Sequence, residues 1–192
     1  MKIKKRYLIF FAVLLLLVYF DPLSTGYSLT EESAIRNSFP NQGGEIVFEK
    51  KIDNNKVVVW DTGPESYVKL LRKELGIFYR VHAANAVSGI TSDNKMKFTV
   101  DATLKDDIYY DTVFAAEILD KKIVKVIVSN NGINNINDIN LTLREVEEKS
   151  TVYIEMDVIN GYAAHYSYLH NSDVGGFLFR GLNSEGKVIS IQ

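Results

Sequence analysis

Residues 45–62 read EIVFEKKIDNNKVVVWDT, two β-branched and aromatic runs on either side of Asp53-Asn54-Asn55. Val, Ile, Phe and Trp suit a pleated, half-buried surface, and Asp and Asn tolerate the tight backbone of a turn. The stretch therefore predicts a hairpin with arms at 45–52 and 56–62, closed by Gly63-Pro64. The same signals recur along the chain. Residues 96–104 alternate Met, Phe and Val against Lys and Thr, the period of a strand with one buried face. Residues 108–119 and 123–129 read as a pair around Asp120-Lys121-Lys122. Residues 151–158 run through Asn160-Gly161, a strong hairpin signal, into residues 162–170. Residues 177–180 and 187–191 make a last pair joined through 183–186.

Helical signals are short. Thr30 is an N-cap for residues 29–39, Glu31 and Glu32 suit the first turn, and Pro40 stops the run. Thr142 and Glu145 have capping-box spacing, opening a helix to about Lys149. Residues 130–140, rich in Asn and Gly, read as a loop. Residues 67–78 support two readings. Tyr67, Leu70, Leu71, Leu75 and Phe78 fall at helical spacing, whereas Leu75-Gly76 can turn a hairpin whose second arm is 77–81. Strands on both flanks favour the hairpin. The expected fold is α+β, a mainly antiparallel β-sheet meander of hairpins with one or two short helices, preceded by an N-terminal hydrophobic helix.

That N-terminal segment, residues 1–26, has an apolar core at 7–20 preceded by Lys2, Lys4, Lys5 and Arg6 and followed by Asp21. The positive-inside rule puts the N-terminus in the cytoplasm and residues 28–192 outside, as one β-rich domain. A fourteen-residue helix reaches about 21 Å, short of a hydrocarbon core of roughly 30 Å. This favours a signal peptide cut after Ser24-Thr25-Gly26. Flanking Lys and Arg that can snorkel, and Tyr7 and Tyr19 at interfacial positions, favour a retained membrane anchor. Either way the expected location is the cell membrane with the domain outside, or secretion.

Composition narrows the chemistry. Apolar residues make up 46% of the chain and charged residues 24%, so about 165 residues after the leader can build a core without staples. With no cysteine there is no disulfide, thiolate metal site or cysteine nucleophile. Removing the four leader cations from the net charge of −2 leaves −6, which disfavours nucleic acid and electrostatic adhesion to anionic lipid.

No constellation carries a catalytic or cofactor signature. His165 and His170 lie five apart in one strand and so point to opposite faces, while His82 is remote in sequence. Ser167 shares a face with His165 but lacks a nucleophile-elbow motif. Asp106, Asp107 and Asp111 gather round a turn without the spacing of a calcium loop. Gly175-Gly176 lacks the lysine of a phosphate loop. Tyr162, Tyr166, Tyr168 and His170 share one strand face, and such a stripe is either a core wall or a binding face.

Three stretches, GEIVFEKKIDNNKVVVWDTG at 44–63, VFAAEILDKKIVKVIVSN at 113–130 and NGYAAHYSYLHNSDVGGFLFRG at 160–181, together with the basic-hydrophobic leader, resemble a group of small uncharacterised exported or membrane-anchored proteins of Gram-positive bacteria. The resemblance implies a location and no activity, cofactor or site residue. The expected role is a non-enzymatic envelope-side module binding an envelope protein or polymer, held to the membrane by the N-terminal helix if it is uncleaved. An envelope-acting hydrolase and a sensor or immunity-type protein are the alternatives.

Overall fold

The 45–62 hairpin forms and lies at one edge of a five-stranded sheet. The computed structural model describes residues 5, 7–15, 26–130 and 141–192. The first sheet holds β1 (Tyr27–Ser28), β2 (Glu45–Ile52), β3 (Asn55–Asp61), β4 (Ser66–Glu74) and β5 (Phe78–Ala86) in the order β1-β5-β4-β3-β2. The second contains β6 (Gly89–Ile90), β7 (Met96–Leu104), β8 (Tyr109–Ile118) and β11 (Tyr162–His170) in the order β11-β8-β7-β6. The third contains β9 (Lys125–Ser129), β10 (Tyr153–Asp157), β12 (Leu178–Leu182) and β13 (Val188–Ile191) in the order β10-β9-β12-β13. Every strand pairing described is antiparallel. Among the described residues from 26 onward, two short helices, α1 (Glu31–Asn37) and α2 (Leu143–Lys149), and a 3-10 turn at Asn171–Asp173 complete a mainly antiparallel α+β fold.

Burial explains the stacking. Val57, Val59, Val68 and Leu70 of the first sheet meet Val113, Ala115, Ala164 and Tyr166 of the second. The other face of the second sheet gives Phe114, Ala116 and Ala163 to a core shared with Val126, Val128, Met156 and Phe179 of the third. Thr112-Val113-Phe114-Ala115-Ala116 is buried throughout because β8 is covered on both faces.

This corrects two pairings expected from sequence. Strands β8 and β9 are not partners: β7 and β11 occupy both edges of β8, so β9 stacks on its face instead. Asn160 and Gly161 do make a tight turn, with φ of 53° and 83° and reciprocal Ile159–Tyr162 bonds of 2.8 and 2.9 Å. Beyond that bridge the two arms diverge, β10 to β9 in the third sheet and β11 to β8 in the second.

The segment with two readings resolves as the β4–β5 hairpin, turning at Leu75-Gly76. Both residues are left-handed, φ 49° and 76°, and the Ile77 N–H donates to the Glu74 carbonyl at 3.2 Å. Among the described residues the other non-glycine positions with positive φ are Asp53, Asn94 and Asn160, the side chains this conformation tolerates. Leucine is the exception, and its side chain is the most solvent-exposed large apolar group described. Leu75→Asn is therefore expected to raise the unfolding free energy by about 1 kcal/mol. Urea titration reads this directly, and an unchanged or lower midpoint would contradict the strain.

Helix α1 covers the outer face of the first sheet. Thr30 Oγ1 accepts from the Ser33 N–H at 3.2 Å, while Ala34 and Ile35 pack on Val58, Trp60 and Leu71. The buried Lys69 ammonium donates to the Ile35 carbonyl at 2.7 Å and Ser38 Oγ at 3.1 Å, and lies 5.2 Å from the Trp60 ring centroid. A cation suits the negative helix C-terminus, although burial pushes this ammonium down to about 8. At α2 the capping box is complete, with Thr142 N–H to Glu145 Oε2 at 2.8 Å and Glu145 N–H to Thr142 Oγ1 at 3.3 Å.

Residues 7–15 are helical and exposed, and the rest of the expected apolar helix, 16–20, lies outside the described residues. So do Ser24 and Thr25 of the expected cleavage motif, and residues 131–140 of the expected Asn-rich loop. Among the described residues no helix is long and apolar enough to cross a membrane.

Candidate functional site

Four strands bring one polar group each to the interface between the first and second sheets. Asp111 of β8 is almost fully buried. Its Oδ1 accepts from the Tyr166 hydroxyl of β11 at 2.6 Å and from Arg72 Nη2 of β4 at 3.0 Å. Arg72 Nε donates to Asn55 Oδ1 of β3 at 2.7 Å, and Lys105 Nζ stands 3.9 Å from Asp111 Oδ2. Burial alone would raise the Asp111 carboxyl. The hydrogen bonds from Tyr166 and Arg72 and the nearby Arg72 and Lys105 charges outweigh it and hold the carboxyl below its ordinary value. Burial, then the bond to Asp111, pushes the Tyr166 hydroxyl up. Asp111 stays ionised and Tyr166 protonated near neutrality, so this pair makes a poor proton relay and a good tie between sheets.

Beside the tie lies a cleft of about 360 Å³ lined by Arg72, Glu74, His82, Thr103, Lys105 and Asp111 over an apolar floor that includes Leu70 and Ala83. His82 Nε2 is 2.5 Å from Glu74 Oε1. Burial and the Arg72 charge lower the His82 imidazole despite that carboxylate. A hydrogen bond from Tyr27 leads the causes that lower Glu74, burial opposing it and His82 adding to it. At one rim Lys105 Nζ lies 5.6 Å from the Tyr168 ring centroid, Tyr168 stacks on Tyr109 at 4.7 Å, and His170 meets Tyr109 edge-on at 5.5 Å. The Tyr168 hydroxyl donates to Asp106 Oδ2 at 2.6 Å; that bond, with some desolvation, pushes it up to about 12.

The four residues singled out in β11 share a strand face but divide in role. Tyr162 packs at the edge of the core, its hydroxyl 3.1 Å from Ser66 Oγ, and Tyr166 lies within it. Tyr168 is exposed and His170 half-buried at the far end of the strand, where His170 Nδ1 contacts Ser172 Oγ at 2.8 Å. Only this second pair is available to a ligand. Asp106 serves the turn, accepting from the Ile108 and Tyr109 N–H groups at 3.3 and 3.0 Å. Among the described residues no hydrogen bond joins Ser167 to His165, and no three His, Asp or Glu side chains gather as a metal site.

Sequence reading passed over Arg72, Glu74 and Lys105 and set His82 aside. Leu70 pairs with Ala83 and the next residue, Leu71, with Val81, which leaves His82 as the extra residue of a bulge in β5, so strand alternation alone does not place it in the cleft.

His165 has its Nδ1 buried without a hydrogen-bond partner, and burial, followed by the Lys50 charge, lowers the imidazole to about 4. The folded state thus resists a proton that the unfolded state accepts near 6.5. Stability attributable to His165 is full above pH 6.5 and falls as the pH drops towards 4. Above pH 6.5 the denaturant midpoints of wild type and His165→Gln should keep a constant separation, and as the pH drops from 6.5 towards 4 wild type should lose stability that the variant does not; a separation that stays constant through the window would count against the assignment.

No family model, curated protein or solved structure matches this chain.

Proposed function

We propose that this chain is a non-enzymatic binding module on the outer side of a cell membrane, related to the small exported proteins its sequence resembles. Its binding surface is the cleft with the Tyr168–His170 rim. One observation carries this reading: a polar cleft opens beside a stacked aromatic pair, while its best-connected groups, Asp111 and Tyr166, are held away from titration near neutrality. Hydrogen bonding and stacking are then the chemistry on offer, suited to an envelope polymer or protein that presents polar groups around a flat face. The full-length chain, crosslinked in envelopes, tests it. Tyr168→Ala and Lys105→Ala should each reduce capture about tenfold, the scale of losing one contact worth roughly 1.4 kcal/mol. Tyr162→Phe should leave capture intact. Equal capture by all three variants removes the cleft from the function.

A hydrolase is the second reading, and the His82–Glu74 contact favours it. The Glu74 carboxylate approaches His82 Nε2 without hydrogen-bond geometry, and a neutral imidazole beside a carboxylate can accept a proton from water. Loss of envelope-polymer hydrolysis in His82→Ala, with binding retained, would select it.

A further inference from the structure

We infer that the outer face of the first sheet carries a binding site for a soluble phosphate ester, formed by Lys51, Lys56, Lys73 and Tyr79. The site lies on the opposite face of that sheet from the Asp111 cleft and does not rest on the role proposed for that cleft.

Strand register builds it. Lys51 of β2 stands directly opposite Lys56 of β3, and Lys56 stands opposite Leu71 of β4. Lys73 is two residues beyond Leu71, so it is the diagonal neighbour of Lys56, and it pairs with Tyr79 of β5. These side chains alternate onto the face that packs Val58, Trp60 and Leu71 under α1, whereas Leu70 and Ala83 face the Asp111 cleft. Together with Glu31 and Asn54 they enclose a second cleft of about 410 Å³, with the buried Leu71 at its base.

Charge sets this cleft apart. Two lysines directly opposite in a sheet repel, and a third on the diagonal adds to the repulsion. Lys56 is compensated, its ammonium donating to Glu31 Oε2 at 2.7 Å and to Glu49 Oε2 at 3.1 Å. Among the described residues no carboxylate lies within ion-pair distance of Lys51 or Lys73, so the uncompensated positive charge sits on those two. Lys73 leans over the Tyr79 ring, 5.6 Å from its centroid. The Asp111 cleft, by contrast, sets Arg72 and Lys105 against Asp111 and Glu74. The groove between α1 and β2 sets Arg36 and Lys56 against four glutamates.

These groups define the ligand. An ammonium offers three donors and no acceptor, and the carboxylate lining the cleft is already engaged by Lys56, so the ligand must bring negative charge and acceptor oxygens. A phosphate monoester is close to a dianion at neutral pH, and its three free oxygens can meet Lys51 from β2 and Lys73 from β4 at once. A carboxylate brings a single charge and two oxygens in one plane. Leu71 and the Tyr79 ring offer apolar surface to the carbon part of the ester. An anionic bilayer is the poorer source of that phosphate, because the domain as a whole carries a net charge of −6 and is repelled by it.

Glycerol 3-phosphate titrated calorimetrically into the full-length chain, held in a neutral detergent, tests the site. Binding should saturate and should weaken as salt is raised. Lys51→Gln and Lys73→Gln should each weaken it about fivefold, the scale of a well-placed exposed ion pair, and the double variant should no longer saturate. Lys121→Gln, an exposed lysine outside this cleft, should bind as wild type does. The leader cations are present in every variant, so binding that survives the double substitution lies elsewhere and overturns the site. No binding by wild type overturns it as well. Succinate, a dianion without phosphate oxygens, should not compete, and equal competition overturns the choice of phosphate. Tighter binding of monomeric short-chain phosphatidylglycerol would put the phosphate in a lipid and overturn the soluble source. None of these substitutions touches Tyr168 or Lys105, so the outcome is separate from that of the Asp111 cleft.

Discussion

Replacing Asp111 with alanine is expected to lower the unfolding free energy by roughly 3–5 kcal/mol, the usual loss when one partner of a buried ion pair is removed. Arg72 would keep its charge at a largely buried site with only Asn55 as a close partner, and the Tyr166 hydroxyl would lose its acceptor inside the core. Asp111→Asn keeps an acceptor oxygen and should lose less. A loss under about 1 kcal/mol in the alanine variant would mean that water replaces the carboxylate and that the tie is weak. The pH dependence has a definite sign. The folded Asp111 carboxyl lies below its ordinary 3.8, so its contribution is complete above that value and disappears as the pH falls through the folded one. Asp93 and Glu74 are lowered as well and act in the same window. Acid titration of Asp111→Ala should therefore show a shallower fall below pH 3.8 than wild type.

Phe114→Ala is the other large effect, about 3–5 kcal/mol. Phe114 is fully buried between the second and third sheets, edge-on to Phe177 at 4.9 Å and tilted against Phe179 at 6.4 Å. Its neighbours are held by strand ladders on both sides, so the cavity cannot readily collapse. Equilibrium denaturation measures the loss. Phe114→Leu fills more of the space and should recover a substantial part of it. An alanine variant within about 1 kcal/mol of wild type would mean that the two sheets close over the gap.

How far the sequence could be read depended on the range of the interaction. The arms of β2 and β3, the whole of β7, the α2 capping box and the Asn160-Gly161 turn were legible because each depends on neighbours within a few residues. The choice between helix and hairpin at 67–78 could be weighed only by its flanks. Leu71 packs under α1 while Leu70 faces the second sheet, so the two leucines that mimic a helical stripe serve opposite faces of a strand. The site was less legible. Tyr168 and His170 lay in a visible stripe, but Arg72, Glu74, His82 and Lys105 come from three further parts of the chain and give no local pattern.

The sequence alone determined most of the longer strands, several of their turns, the helix caps and the lack of cysteine, because side-chain period, turn tolerance and composition are local properties. Tertiary structure decided which strands pair. β8 has two hydrogen-bonding edges, both filled by β7 and β11, and β9 must stack where the sequence offered it as a partner. It also decided which tyrosines meet solvent, since burial between sheets depends on what lies across the interface and not on the stripe itself.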